Sequence, residues 1–325
     1  MRSISISPKS YQKVARVSLL LLTFIIVTGA AVRLSGSGLG CSDWPTCEND
    51  QLIAEVDDVH AMVEFVNRAI TGFIALAVMI AVLGSLFRKP KRDDLIFLSL
   101  GLVVGVIVQI IVGALVVREH LPPSLVIAHF LISILLVWNA VELDHRSHLR
   151  IEQLKRSARG TLEKLSGLLV ICGTLVLATG TIVTGSGPHS GSESQQTKNV
   201  LEANEDAINF QISDLEVERL PFDVPDVARI HAITMIIFLI VILIVVTKIK
   251  KGRVSSLPEA QNLLAAIIVQ GAIGYLQYFT DVPALLVGVH VAGATLIWVL
   301  TLKLRLSLLL PINREPVKEI KPVSQ

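Results

Sequence analysis

Eight runs of apolar residues divide this chain, near 16–34, 60–87, 94–117, 122–141, 162–184, 226–248, 260–280 and 284–308. Each approaches the roughly 20 residues a helix needs to cross the hydrocarbon of a bilayer. A backbone in hydrocarbon must satisfy its own hydrogen bonds, so such runs are read as helices. The mean hydropathy of +0.65 and the 52% hydrophobic content exclude an ordinary soluble domain. The first run opens near Val17 and passes into a glycine-rich stretch with no small-residue cleavage site. It is read as a retained span, not a signal peptide. The second and fourth runs are the least apolar, carrying Glu64 and Arg68 or ending in Glu142.

Charge orients the spans. Most of the 29 Lys and Arg fall in residues 1–16, RKPKRDD, 143–164, KIKKGR and the segment after Leu302. The intervening loops 35–59 and 188–225 are rich in Asp and Glu. The positive-inside bias places both termini in the cytoplasm of a multi-pass cell (plasma) membrane protein, with the two long loops outside. Membrane lipid is the expected surround, and nothing in the charge pattern points to nucleic acid.

The chain is also written twice. VQIIVGALVVREHLPPSLVIAH, 108–129, realigns without a gap on VQGAIGYLQYFTDVPALLVGVH, 269–290. Gln109 falls on Gln270, Gly113 on Gly274, Pro122 on Pro283 and His129 on His290. Thr28-Gly29 and Gly36-Ser37-Gly38 recur as Thr179-Gly180 and Gly185-Ser186-Gly187. Four spans per copy make the copies parallel. The predicted fold is an all-α integral membrane protein, eight transmembrane helices as two parallel-duplicated four-helix bundles. Its parts are a cytoplasmic N-terminus (1–15), an N-terminal half (16–142), a basic connector (143–161), a C-terminal half (162–308) and a tail (309–325). His145 and His148 in the connector are read as solvated charge.

Ionisable side chains inside membrane helices usually face a bundle interior and mark function. His129 and His290 lie seven residues past their prolines, roughly 10 Å below the outer turn at ~1.5 Å per residue. His231 lies six residues past Pro225, at nearly the depth of His290. Two imidazoles at matched height on facing helices can clamp a haem iron from both sides. Zinc or copper would call for further ligands, and none stands at that level in the sequence. In the second span His60, Glu64 and Asn67 share one helix face. Glu64 either works there or pairs with Arg68 one turn on. Cys41 and Cys47 flank Asp43, Trp44 and Pro45 in the first outer loop. An oxidising outer compartment favours a bridge between them, the alternative being a redox-active or metal-binding thiol pair. Cys172 is a small buried hydrophobe, and the acidic loop from Ser190 to Asp226 is solvated covering, with QISDLEVERL a short amphipathic helix.

Taken in order, TGAAVRLSGSGLGCSDWPTC, EFVNR, LPPSLVIAH, VTGSGPHSG, RIHAITM and DVPALLVGVH resemble the haem A synthase family. The resemblance covers essentially the whole membrane part. It implies oxidation of the C8 methyl of haem O to the formyl of haem A for terminal oxidases. It also implies a haem b cofactor on the irons' ligands His231 and His290, with substrate haem in the N-terminal half. His129 would hold the substrate iron, and Glu64 would be the catalytic carboxylate. The Cys41–Cys47 disulfide belongs to the same pattern. Arg33 and Arg68 are candidates for the propionates, and haem O synthase is a candidate partner, with the electron acceptor unnamed. One departure stands out. The family pattern is Glu-x-x-His-Arg, and this chain has Glu64-Phe-Val-Asn67-Arg68. Asn67 occupies the slot of His231, and His60 lies about 10 Å nearer the outer surface on a straight helix. Asn67 and His60 are therefore both carried as substrate-haem-binding residues. Competing readings are a bis-histidine cytochrome b-like electron-transfer protein and a transporter with the same parallel duplication.

The charge asymmetry generates a direct test. A periplasm-only reporter fused after Arg156 is expected to be silent, and one fused in the loop after Ser190 active; a strong signal after Arg156 would overturn the orientation.

Overall fold

The computed structural model describes residues 5–41, 46–47, 53–54, 57–150, 160–190 and 219–309. Most of the acidic loop, with most of QISDLEVERL, the middle of the connector and the tail from residue 310 lie outside the described residues, as do Asp43, Trp44 and Pro45. Within them are eight long helices: α1 (Pro8–Leu34), α2 (Val59–Phe87), α3 (Asp93–Arg118), α4 (Pro123–His148), α5 (Thr161–Ser186), α6 (Val224–Gly252), α7 (Leu257–Phe279) and α8 (Ala284–Leu309). All eight are long and apolar enough to cross a membrane. Their outward faces are apolar too: Phe97, Phe279 and Leu285 are each at least three-quarters exposed. Water would penalise such a surface, whereas lipid accommodates it.

Local chemistry sets the ends. Ser7 caps α1 by accepting the Ser10 amide at 3.2 Å, with Pro8 in the first turn. Asp58 caps α2 through the Ala61 amide at 2.9 Å. Proline also opens α4, α6 and α7, where its fixed φ and missing N–H cost nothing. Two helices outrun the expected spans. α1 begins at Pro8 and not near 16, and α4 continues to His148 and not 141. The extra turns brace each other. Tyr11 and Ala15 are fully buried. Gln12 donates to the Ser147 carbonyl at 3.2 Å, and Arg16 meets Asp144 at 3.6 Å. His148 is thus more than solvated charge: its ring nitrogens lie 3.1 Å from Arg16 Nη2 and 2.8 Å from the Asp144 carbonyl.

Helix pairing defines the architecture. α1 to α4 pack in a closed ring of neighbours, as do α5 to α8. Between the two rings, α4 packs on α8, α1 on α8 and α4 on α5. Trp298 sits on this seam, 2% exposed, with its indole N–H donating to the Ile134 carbonyl at 3.0 Å and its ring edge-on to Trp138 at 5.9 Å. The turns before α4 and α8 are alike as well. His120 and Leu121 have φ of 59°, and Asp281 and Val282 have φ of 57° and 55°. Left-handed backbone at a β-branched residue such as Val282 is an outlier that the surroundings must enforce. Leu121 donates to the Val116 carbonyl at 2.8 Å and Val282 to the Gln277 carbonyl at 2.9 Å.

Removing the seam tryptophan should therefore be costly. Trp298→Ala is expected to lower stability by ~3–5 kcal/mol, read as an earlier thermal transition of the detergent-purified protein, while Phe97→Ala on the lipid face leaves it near wild type.

Candidate functional site

The two imidazoles expected to oppose one another do so. His231 on α6 and His290 on α8 face with ring centres 6.5 Å apart and planes inclined by 67°. Glycine on the neighbouring helices makes room for each ring. A Cβ at Gly180 on α5 would stand 3.1 Å from His231 Cε1, and one at Gly274 on α7 would stand 3.1 Å from His290 Cε1. Both gaps are tighter than ordinary contact, so a larger residue would press on each ring by a few tenths of an ångström. Among the described residues no group of three or more His, Cys, Asp or Glu could hold a metal ion. A metal between His231 and His290 must therefore take its other ligands from elsewhere, as porphyrin nitrogens provide. The spacing fits: metal–nitrogen bonds of about 2 Å, with about 1 Å more to each ring centre, separate the centres by about 6 Å.

The N-terminal half keeps part of this arrangement. His129 on α4 is flanked by Gly113 on α3, whose added Cβ would lie 3.4 Å from its Cε1. Gln109 donates to the His129 carbonyl at 3.2 Å, as Gln270 donates to the His290 carbonyl at 2.7 Å. The other side differs. Asn67 stands on α2 where α6 has His231, and an added Cβ at Gly29, the counterpart of Gly180, would meet nothing within 4 Å. Asn67 Oδ1, His129 Nδ1 and His290 Nδ1 are buried without a hydrogen-bond partner. Leaving such groups unmet costs roughly 1–3 kcal/mol each; Tyr11, Arg88, Gln109, Asp144 and Gln277 also carry one such atom each.

Glu64 lies 4% exposed at the outer end of α2. It pairs with Arg68 Nη2 at 2.5 Å, so the simple ion-pair reading is correct as far as it goes. Its other oxygen accepts the Cys41 amide at 2.9 Å. Arg68 also donates to the Thr46 carbonyl at 2.8 Å. Cys41 and Cys47 form a disulfide, S–S 2.06 Å, so both ends of the Glu64–Arg68 pair are held by one bridged loop. Gly40 lets that loop lie against the His60–Ala61 backbone, where any Cβ would overlap it. His60 Nδ1 is taken by Ser37 Oγ at 2.9 Å, a partner the sequence did not suggest. Arg33, at the end of α1, donates to the carbonyl of His189, and His189 Nε2 donates to the Val282 carbonyl at 2.8 Å. Arg33 thus ties the outer end of α1 to the loop after α5 and to the turn before α8.

The sequence itself decides the family. Residues 12–302 match the COX15-CtaA family, described as cytochrome oxidase assembly protein. The chain belongs to this family. Among individual relatives, a heme A synthase of Exiguobacterium sibiricum is 28% identical over 167 residues, which is 50% of this chain and 55% of the relative. A heme A synthase of Listeria monocytogenes is 29% identical over 130 residues, 39% of this chain and 42% of the relative. A protoheme IX farnesyltransferase of Thermus thermophilus is 40% identical over 68 residues, 21% of this chain and 11% of the relative. The matches thus span about half or less of these relatives' lengths.

Within this COX15-CtaA member, sequence reasoning singled out the histidines, Glu64 and the cysteines as candidates, but not their local partners. His189 and Thr46 carry no residue-type signal, and Ser37, though repeated as Ser186, gives no hint that it meets His60. Gln109, Gln270 and the flanking glycines did carry one, because the duplication repeats them. The bridge gives a plain test. Cys41 and Cys47 are expected to resist alkylation in protein from an oxidising envelope until a reductant is added; free labelling of both without reductant would contradict it.

Proposed function

We propose that this chain is a haem A synthase, oxidising the C8 methyl of haem O to a formyl group in a cell membrane with both termini cytoplasmic. The supporting observation is the contrast between the halves. One presents two imidazoles set against each other edge-on, and the other presents one imidazole against an asparagine and open space beside Gly29. A permanent cofactor suits the first arrangement, and a substrate that must leave suits the second.

His231 and His290 would hold haem b, which when bound supplies one-electron transfer. In the N-terminal half His129 binds the substrate iron. Asn67, with its buried and unpartnered Oδ1, lines the opposite side and offers hydrogen bonds to an oxidised substituent. With water as the oxygen donor, conversion of the methyl to a formyl releases four protons and four electrons. The electrons leave to a separate redox partner, and Glu64 is the catalytic carboxylate that accepts protons in turn. Arg68 and the Cys41 amide fix its position. His60, committed to Ser37, serves at the rim. Arg33 and Arg68, near the outer ends of their helices, are assigned to the propionates by their place and charge. Haem O synthase is the partner class that supplies the substrate, a link supported by the match to a protoheme IX farnesyltransferase. The electron acceptor is a separate redox partner.

Extraction and mass analysis of haems from cells with and without this chain tests the reading; haem A is expected only with it, and an unchanged haem profile would favour a cytochrome b-like electron carrier. Single variants assign the residues. His129→Ala is expected to lose substrate haem, and Glu64→Gln to bind it while turnover falls roughly 10²–10⁴-fold. His60→Ala should retain substantial activity. An N-terminal haem that changes from six- to five-coordinate in His60→Ala would show that His60, and not open coordination, faces His129.

A further inference from the structure

The two opposed histidines, His231 and His290, are not equivalent. His290 Nδ1 is buried with no partner, whereas His231 Nδ1 lies 3.0 Å from the hydroxyl oxygen of Thr179 on α5. That hydroxyl also lies 2.9 Å from the Leu175 carbonyl, 3.1 Å from the Val176 carbonyl and 3.1 Å from the hydroxyl of Thr234. A hydroxyl has one hydrogen, and carbonyls can only accept. The Thr179 hydrogen therefore goes to its own helix, in the usual bond to the carbonyl one turn back. Thr234 uses its hydrogen on the His231 carbonyl at 2.8 Å. With the Thr179 hydrogen placed on its own helix, the ring nitrogen is the donor in the Thr179–His231 contact, in keeping with a hydrogen bond that the His231 ring also makes to the Val176 backbone on α5.

We propose that Thr179 is a positioning residue for His231: its hydroxyl accepts the Nδ1–H, which fixes the tautomer whose Nε2 lone pair is offered to the iron. The inference rests on the reading of His231 and His290 as an axial pair. In a neutral imidazole only one nitrogen carries the proton, so holding it on Nδ1 leaves Nε2 as the ligand atom. Such a bond also raises ligand basicity and locks ring orientation. Gly180, the next residue, brings α5 against the same ring. The Thr-Gly pair is thus a shelf for one histidine. Its counterpart, Thr28-Gly29 on α1, is kept in the other half, where Asn67 has replaced the histidine. There Thr28 bonds back to the Ile25 carbonyl at 3.3 Å and, among the described residues, meets no histidine. The shelf therefore distinguishes the two halves: ligand and support together in one, support without its ligand in the other.

The test uses the full-length, haem-loaded protein and three measurements that do not depend on turnover. These are the g-values of the oxidised low-spin haem, its midpoint potential, and haem retention on dilution. Thr179→Val and Thr179→Ala both remove the acceptor and differ in size. Both are expected to shift the g-values, to raise the midpoint potential, and to weaken haem retention by roughly 10–100-fold. Thr179→Ser should restore wild-type values, and Thr28→Val, the same deletion at the shelf without a histidine, should leave the low-spin signal unchanged. Wild-type g-values, potential and retention in Thr179→Val would overturn the proposal. So would equal effects of Thr28→Val and Thr179→Val, or loss of folded protein in both hydroxyl-free Thr179 variants, since either assigns the hydroxyl to packing. His231→Ala separates this from the parent reading. A full-strength low-spin haem in His231→Ala defeats the axial pair itself, whereas its loss there with an unaffected Thr179→Val defeats only the role of Thr179.

Discussion

Polar atoms carried into hydrocarbon must find partners inside the protein, and this constraint organises the whole chain. Backbone groups are satisfied within the eight helices. Serine and threonine hydroxyls along the spans turn back on carbonyls three or four residues earlier, as in Ser18 to Val14 and Thr301 to Ile297. Gln109 and Gln270 reach across to the carbonyls of His129 and His290. Against that background the unmet atoms stand out. Asn67 Oδ1, His129 Nδ1 and His290 Nδ1 lie at the positions that the duplication lines up. Others lie elsewhere, among them Tyr11 Oη, Arg88 Nε and Gln277 Oε1, so these three draw notice by their place in the repeat and not by being alone.

The same constraint explains the outer rim. Glu64 could not stay charged and buried alone. It is held by Arg68 from its own helix and by the Cys41 amide from the bridged loop, while Arg68 reaches the Thr46 carbonyl in that loop. The disulfide thus does more than shorten a loop: it fixes the hydrogen-bonding groups around the one carboxylate assigned to chemistry. On the other side of the seam Arg33 and His189 link the end of α1 to the turn before α8. That link lies far from Trp298 in sequence, so the seam is held at separate points along α8.

Much of this was legible in the sequence, for reasons of physics. Hydropathy named eight spans because length and apolarity are all that crossing a bilayer demands. Their boundaries were less legible: α1 and α4 run past their apolar stretches because Gln12, Arg16, Asp144 and Ser147 pair off between them, and periodicity is blind to such pairing. The duplication exposed the histidines, their glycines and the odd Asn67, because a repeat turns one chain into an alignment with itself. It could not show that left-handed turns precede α4 and α8, since Leu121 and Val282 are not turn residues by type.

The sequence by itself therefore determined the helices, the internal repeat, the family and the residue types available for chemistry, all of which follow from local composition and spacing. Only the tertiary structure decided which atom each side chain meets. It turned His60 toward Ser37, engaged Arg33 with the His189 carbonyl, and put the Thr179 hydroxyl on His231 and none on His290. Those choices depend on how helices distant in sequence rotate and settle against one another. A hydrogen bond responds to tenths of an ångström, which no spacing along a chain encodes.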